Sequence, residues 1–405
     1  MRPRQADRMA ADSPFAGLTV CWLSGTRYAC PLDATGARKW QALAGLGAPM
    51  IVIGFAPGLR PRIFTQDARF YTLPNLPLSL LRYLEMFILG TALALWAVWR
   101  DGAQVMVAQS PDQGAIGAFV KQAARLAGRQ VILIVENHGN FEAGIMERGP
   151  AFLAGAARRL MRRAVDYALR QADLLRAISS STRRQLEALA PSLPLVEFMT
   201  WTDVSAFTAE RTLPLAQTQD LVYAGVLIPR KGVHFLIDAF DRLAGDYPAA
   251  RLWLVGSPQD PRYAADLRHQ AERLGLGDRV IFVGAVSQRE LAGYFGRCRA
   301  VVLPSTSEGL GRVLVEAMLC GAPAVGSRVG GIPDVVREGE TGWLAPPGDV
   351  DALAAALRRL LDDPDIEAMG ARAQAFARQF FSETAYVDGY RRLLALAQER
   401  LAARP

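Results

Sequence analysis

Glu308 and Glu316 stand at the two ends of the run E-G-L-G-R-V-L-V-E. Between them lie Gly309, Leu310 and Gly311, a glycine-bearing turn at the start of a helical stretch. The first N–H groups of a helix have no partner within it and attract anions. Carboxylates accept hydrogen bonds from hydroxyls. The arrangement therefore suits a ligand that is part phosphate and part sugar. A helix beginning near Gly311 carries Glu316 about one and a half turns in, roughly 8 Å along the axis. The plainer readings are an exposed helix acid for Glu316 and a loop or capping acid for Glu308. Position raises the signal: the apolar strand Ala300–Leu303 and a P-S-T-S turn come immediately before.

Other strand ends carry matching chemistry. In Y-A-G-V-L-I-P-R-K-G the chain turns at Gly225 and Pro229, and Arg230 and Lys231 precede a new helix. Paired cations at a strand's carboxyl end suit a diphosphate, with Arg forking onto two oxygens and Lys acting as a point charge. Taken alone, the pair reads as a solvated basic turn. The runs Val255-Gly256-Ser257 and Val283-Gly284-Ala285-Val286 end two more strands in glycine, which lets a flat ring approach the backbone. In the first half, V-I-L-I-V-E-N-H-G is a strand ending at His138, the only histidine before residue 200. His234 and His269 fall on predicted helices and read as structural.

These residues need a scaffold, and the apolar pattern supplies one. Strand-like runs recur at Leu18–Leu23, Met50–Phe55, Gln104–Ala108, Val131–Val135 and Leu174–Ile178, then at Leu221–Ala224, Arg251–Val255, Val280–Val283, Ala300–Leu303 and Ala324–Ser327. Many are apolar throughout, as in parallel strands covered on both faces. Stretches of helical length, such as Gly232–Leu243 and Tyr263–Leu274, separate them. The alternation predicts doubly wound α/β architecture. It restarts near residue 220, after a segment rich in Thr, Ala, Pro and Gln. The expected organisation is a Rossmann-like domain over 1–200, a linker over 201–218, a second Rossmann-like domain over 219–380 and a C-terminal helix over 381–405 that packs back on the first domain.

The chain of 405 residues is 51% hydrophobic and 21% charged, ample for two cores. Its four cysteines show no metal spacing and read as buried thiols of a reducing compartment. Residues 1–17 hold no apolar segment of signal-peptide length. The uncharged stretch Met86–Trp99 is shorter than the roughly 20 residues a bilayer span needs, so a buried helix is expected, with membrane contact as the lesser reading. The net charge of +7 comes from the first half: residues 1–204 carry 23 Arg and Lys against 15 Asp and Glu, and residues 205–405 carry 23 against 24. Nucleic acid, a membrane surface or a phosphorylated substrate would each fit that excess. No recognised nucleic-acid module accompanies it, and nucleic acid is not expected as a partner.

From about Leu221 to Asp349 the chain resembles the donor domain of GT-B glycosyltransferases, in particular the large retaining family four. The resemblance rests on the order and spacing of Y-A-G-V-L-I-P-R-K-G, V-G-A-V-S-Q-R-E-L, L-P-S-T-S-E-G-L-G-R-V-L-V-E-A-M-L-C-G-A-P-A-V, V-G-G-I-P-D-V-V and G-E-T-G-W-L-A-P-P-G-D. It implies the GT-B fold, two Rossmann-like domains facing a cleft. It implies transfer of a sugar, with retention, from a nucleotide-sugar donor to a hydroxyl acceptor. Arg230 and Lys231 would bind and stabilise the leaving diphosphate. Glu308 would accept hydrogen bonds from the transferred sugar, and Glu316 would hold the ribose. Gly309, Leu310 and Gly311 would touch sugar and phosphates. Gly225, Val283, Gly284 and Val286 would frame the nucleotide, and His138 would contact the donor sugar near the reacting carbon. A non-catalytic GT-B partner protein and a GT-B sugar-nucleotide epimerase are the alternatives.

The first half departs from the family. Where a Gly-Gly loop is usual after the first strand, this chain has L-S-G-T-R-Y, with Gly25 and Arg27. Either Arg27 takes over an anion contact at the acceptor side, or the acceptor site is unusual. Asp203 resembles the family's linker aspartate, but Trp201-Thr202 replaces the usual Asn-Gly before it. Asp363-Pro-Asp365 has the spacing of a metal motif but falls between late helices, so neither metal nor cofactor is expected. Residues 148–184 interleave Arg158, Arg159, Arg162, Arg163 and Arg170 with Phe152, Leu153, Leu160, Met161 and Val165. That reads either as an ordinary surface helix or as a basic amphipathic helix on an anionic membrane. The second reading fits a lipid-linked or polysaccharide acceptor and a cytoplasmic protein peripheral to the membrane.

Overall fold

The computed structural model describes residues 13–139, 154–208 and 211–403. The chain divides into two compact units: residues 1–203 with 383–405, and residues 204–382.

The first unit is built on β1 (Val20–Arg27), β2 (Met50–Phe55), β3 (Arg62–Gln66), β4 (Ala68–Leu73), β5 (Val105–Ala108), β6 (Ile132–Asn137), β7 (Leu174–Ala177) and β8 (Leu195–Glu197), in the order β3-β4-β2-β1-β5-β6-β7-β8. All pairings are parallel except β3 with β4. The five expected strands of this half are present. The β3–β4 hairpin is an addition. Its outer strand is mostly exposed and carries Arg62, Thr65 and Gln66, so it lacks an apolar run. Asp67 turns it at a φ of 58°, a conformation Asp tolerates better than most side chains.

Helices α1 (Ala34–Ala44), α2 (Ser79–Glu85), α3 (Thr91–Arg100), α4 (Pro111–Leu126), α5 (Ala154–Gln171) and α6 (Ser180–Leu189) accompany this sheet. A single π-helical turn, Met86–Gly90, joins α2 to α3, so one helix runs from Ser79 to Arg100. It differs from the buried helix expected at Met86–Trp99. Its inward side holds Met86, Gly90, Ala94, Ala97 and Val98, mostly small residues that let the helix approach the sheet. Its bulky residues Leu81, Leu84, Phe87, Ile88, Leu89, Trp96 and Trp99 point outward. The basic helix α5 buries one side and exposes the other. The apolar side of α5, Val165 and Leu169, belongs to the core beside α4, while Arg159, Arg162, Arg163 and Arg170 are exposed. Phe152 and Leu153 lie outside the described residues. Cys21, Cys298 and Cys320 are buried as expected, but Cys30 is exposed.

The second unit has β9 (Leu221–Ala224), β10 (Leu252–Val255), β11 (Val280–Gly284), β12 (Ala300–Leu303), β13 (Ala324–Ser327) and β14 (Gly342–Ala345), all parallel, in the order β11-β10-β9-β12-β13-β14. The strand order reverses between β9 and β12, which makes a crevice beyond their carboxyl ends the natural ligand site. Its helices are α7 (Val233–Ala244), α8 (Pro261–Arg273), α9 (Gln288–Phe295), α10 (Arg312–Leu319), α11 (Ile332–Val335), α12 (Val350–Leu361) and α13 (Ile366–Phe380). Much of 204–218 packs within this unit. Phe207 is buried beside Phe295, and Arg211 donates to the carbonyls of Phe295 (3.0 Å) and Cys298 (2.7 Å).

The last helix, α14 (Glu383–Ala402), returns to the first unit. Tyr386, Tyr390, Leu393 and Leu394 join Trp22, Trp40, Phe198 and Trp201 in one apolar cluster. A charged network is sealed against this cluster. Arg176, on β7 and fully buried, donates to Glu136 Oε2 on β6 (3.0 Å), to the Tyr390 hydroxyl (3.0 Å) and to the Met199 carbonyl (3.2 Å). The Tyr390 hydroxyl donates in turn to Glu136 Oε1 (2.6 Å). The guanidinium lies 4.0 Å from the Phe198 ring centroid. The buried charges compensate each other, and removing one partner of such a pair costs about 3–5 kcal/mol. Arg176→Met is expected to lower the unfolding free energy of the first unit by that amount, read from denaturant titration. A loss below about 1 kcal/mol would mean that the network contributes little.

Candidate active site

The second unit gathers the donor-type residues at its strand-order reversal. Arg230 and Lys231 follow β9 on a short 3-10 turn, Pro229–Lys231. Glu308 follows β12. The two loops are tied together: the Thr306 N–H donates to the Arg230 carbonyl (2.9 Å) and the Arg230 guanidinium to the Ser307 carbonyl (3.4 Å). The Lys231 ammonium is ion-paired with Glu308 Oε2, which also lies 3.4 Å from the Ser305 hydroxyl. Both side chains are largely buried, at 14% and 15% exposure, so the pair is poorly screened by water.

Backbone fit holds these loops in place. Gly232 has a φ of 68°, and a Cβ there would stand 2.1 Å from the Pro304 carbonyl oxygen. Gly330, after β13, has a φ of 55°, and a Cβ would stand 1.7 Å from the Glu308 carbonyl oxygen. The Gly331 N–H donates to the Gly309 carbonyl (3.0 Å). The V-G-G-I-P-D segment thus closes on the glutamate loop from the far side. The sequence shows the motif, but only the fold shows this support.

Gly311 is the N-cap of α10, in left-handed conformation, and Leu310 beside it is buried, so that residue can offer a ligand only its backbone. Gly225 and Gly284 stand at the ends of β9 and β11, with Gly256 at the end of β10 between them. The Gly225 N–H donates to the Val255 carbonyl (2.9 Å) and the Gly256 N–H to the Gly284 carbonyl (2.8 Å). Val283 and Val286 are half-buried at the end of β11 and just beyond it. Asp363 and Asp365 form a turn before α13, with the Asp363 carboxylate accepting from the Asp365 N–H (2.8 Å). Among the described residues, no three His, Cys, Asp or Glu side chains cluster as metal ligands do.

Glu316 lies on α10 in largely buried surroundings. Burial pushes its carboxyl up from the ordinary 4.5 to about 7, with Arg312 opposing. It is therefore an acid that titrates at neutral pH.

The first unit gathers the other predicted residues around a cavity of about 650 Å³. Gly25 and Arg27 form the carboxyl end of β1, Gln109 to Gln113 follow β5 and open α4, and His138 follows β6, so this cavity too sits where the strand order reverses. Tyr83, Met86, Phe87 and Met161 supply apolar wall, and Arg82 a second cation.

His138 Nε2 is 2.7 Å from Glu136 Oε2. Burial lowers the histidine pKa while Glu136 opposes the shift, so the imidazole is neutral at pH 7. A neutral ring bound to a carboxylate carries its proton on the bonded nitrogen, which leaves Nδ1 as an acceptor. Burial alone would raise the Glu136 carboxyl, but Arg176 and the bonds from His138 and Tyr390 hold it down to about 2. Glu136 is thus a fixed anion that sets the histidine tautomer. Neither Glu136, Arg176 nor Tyr390 stands out in the sequence as part of a site. The signal was there: one charge in each of two adjacent, mostly apolar strands. Asp203 bonds within this unit, to Arg38 and to Thr35 (both 2.9 Å).

Residues 209–379 match the family described as glycosyl transferases group 1. Nearly the whole of the second unit is thus similar to group 1 glycosyl transferases. The glycogen synthase of Mycobacterium tuberculosis is 33% identical over 265 residues, 65% of this chain and 61% of its own length. The D-inositol 3-phosphate glycosyltransferase of Streptomyces scabiei is 37% identical over 170 residues, 40% of this chain and 38% of its own. The chain therefore matches less than two thirds of the length of these relatives. Among solved structures, Anabaena HepE in complex with UDP-glucose has a TM-score of 0.68 at 23% identity, over 93% of this chain and 99% of that one. Sucrose-phosphate synthase from Thermosynechococcus elongatus has 0.72 at 22%, over 96% and 100%. At such identities the likeness is one of fold, and the fold is the GT-B fold that the sequence implied.

The Glu316 carboxyl has a testable pH signature. The folded form binds the proton more tightly than the unfolded chain. Its stability is therefore highest below the ordinary 4.5 and falls as pH rises to about 7. The fall is at most about 3 kcal/mol. Glu316→Gln is expected to remove this decline, becoming more stable than wild type at pH 8 but not at pH 5. Thermal unfolding at both values reads it. An equal gap at the two would place the titration elsewhere.

Proposed function

We propose that the protein transfers a sugar from a nucleotide-sugar donor to an acceptor hydroxyl, with retention of anomeric configuration and without a metal ion. One observation carries the reading. The Lys231–Glu308 pair and the α10 N-terminus meet at the strand-order reversal of a unit similar to group 1 glycosyl transferases. In support, Anabaena HepE has been solved with UDP and glucose and with UDP-glucose.

On this reading the donor diphosphate binds Arg230 and Lys231 and competes with Glu308 for the lysine. Glu308, released from that pair, accepts hydrogen bonds from sugar hydroxyls. The anomeric carbon's bond to the phosphate oxygen breaks as its bond to the acceptor oxygen forms on the same face. The departing phosphate oxygen takes the acceptor proton. Positive side chains and helix N–H groups aimed at the leaving group stabilise its growing charge. Glu316 holds the ribose, and its carboxylate form is the better acceptor, so donor affinity rises with pH through about 7. His138, turned by Glu136, presents Nδ1 at the cavity of the first unit. The acceptor binds the first unit, where Gly25 and Arg27 line the cavity.

Thermal-shift screening of UDP-, GDP- and ADP-sugars identifies the donor. Glu308→Ala is expected to lower turnover at least about a hundredfold, in line with the loss of one preorganised transition-state contact. Its unfolding curve is expected to stay cooperative. Near wild-type turnover in the purified variant would defeat the assignment. Transfer is expected to persist in chelator. Activity lost to EDTA and restored by Mn²⁺ would defeat metal independence.

A further inference from the structure

The helix Ser79–Arg100 is turned inside out. A helix on a soluble surface shows water its polar side and buries its apolar side. Here Leu81, Leu84, Ile88, Trp96 and Trp99 follow one another at helical spacing and are 41% to 67% exposed, Ile88 the most. Phe87 and Leu89 flank them. The helix is long and apolar enough to cross a bilayer, yet of its most apolar 18-residue window only 28% is buried. Scattered single apolar residues on a surface need no explanation, but a continuous strip marks an interaction site.

Two features say what covers the strip. The first is charge. Arg100 ends the helix in the open, and Arg159, Arg162 and Arg163 are exposed on α5 around Leu160, which is itself 70% exposed. Met161 of α5 and Phe87 of the outward helix line the same cavity, with Arg82 and Arg27 on its wall. Apolar strip and cations therefore border one opening. The second is attachment. The inward side of the helix, with Met86, Ala94, Ala97 and Val98, is part of the unit's core. A spanning helix would have to leave the sheet, whereas one lying flat exposes the strip and keeps the core. A second copy of the chain would bring the same arginines against one another across an isologous contact. An anionic surface meets them with opposite charge.

We propose that the outward side of Ser79–Arg100 lies in the interfacial layer of an anionic bilayer, with the arginines of α5 on the lipid headgroups. Tryptophans at interfacial depth and arginines at headgroup depth are the arrangement such helices use. The cavity lined by Phe87, Met161, Arg27 and Arg82 then opens beside the headgroups. Resting on the transferase reading above, this deepens it: the acceptor hydroxyl belongs to a membrane-held amphiphile with an anionic headgroup.

The full chain is mixed with phosphatidylcholine vesicles with and without phosphatidylglycerol and sedimented, while tryptophan emission is followed. Wild type is expected to co-sediment with the anionic vesicles, with a blue shift from Trp96 and Trp99. The double variant Leu84→Glu/Ile88→Glu alters only exposed positions. It is expected to weaken partition at least about tenfold with its melting temperature kept. Donor binding, read by thermal shift with nucleotide sugars, is expected to be equal in the two proteins, so that a failed donor reading and a failed membrane reading are told apart. Wild type left in the supernatant with both vesicles overturns the proposal. So does partition unchanged in the double variant, and so does a solution dimer that the double variant dissolves.

Discussion

The salt-bridged network of Glu136, Arg176 and Tyr390 is the constraint on which the first unit is organised. A carboxylate and a guanidinium in a dry interior are tolerable only when they meet each other with good geometry. Meeting requires β6 and β7 to be neighbours in register and α14 to be seated with Tyr390 over both. The C-terminal helix is therefore bound by a polar lock as well as by its apolar contacts. The same carboxylate reaches out to His138 at the cavity wall. One buried anion thus links the packing of the last helix to the tautomer of a candidate site residue.

The second unit solves its positioning problem differently. Its loops are held by main-chain contacts too close for any side chain, Gly232 under Pro304 and Gly330 under Glu308. The carbonyls of one loop serve as the floor of the next. Side chains at the site then need only short reach, and Lys231 and Glu308 meet without further scaffolding. Such close backbone packing has little tolerance for change, which accounts for how plainly this domain can be read from its residues.

Legibility follows that difference. All ten strands drawn from apolar runs are present, because parallel strands buried on both faces write continuous apolar segments. The β3–β4 hairpin and the short β8 were missed because they lie toward the sheet edge and their exposed or half-buried residues include polar ones, and the edge strand β14 because its apolar run is only Trp343-Leu-Ala. The glutamate loop and the Arg-Lys turn were legible because their residues are contiguous. Glu136, Arg176 and Tyr390 were not, since the three are joined only by the fold. Met86–Trp99 was misjudged for a related reason. Composition shows that a helix is apolar, not which side faces inward, and here small residues on one side and large ones on the other decided it.

That asymmetry between small and large residues also bears on the first unit's cavity. Gly90, Ala94 and Ala97 bring the outward helix close to the sheet, which carries Tyr83, Met86 and Phe87 to the cavity wall. Seating the helix and shaping the cavity are therefore one event, and any larger residue at 94 or 97 would move the wall as well as loosen the core. The bulky outward residues play no part in that seating. Folding gives no reason for seven large apolar side chains to stand in water, because the inward side already supplies the burial. The outward side is a separate requirement placed on the same helix, and it is met beside the cavity that the helix walls.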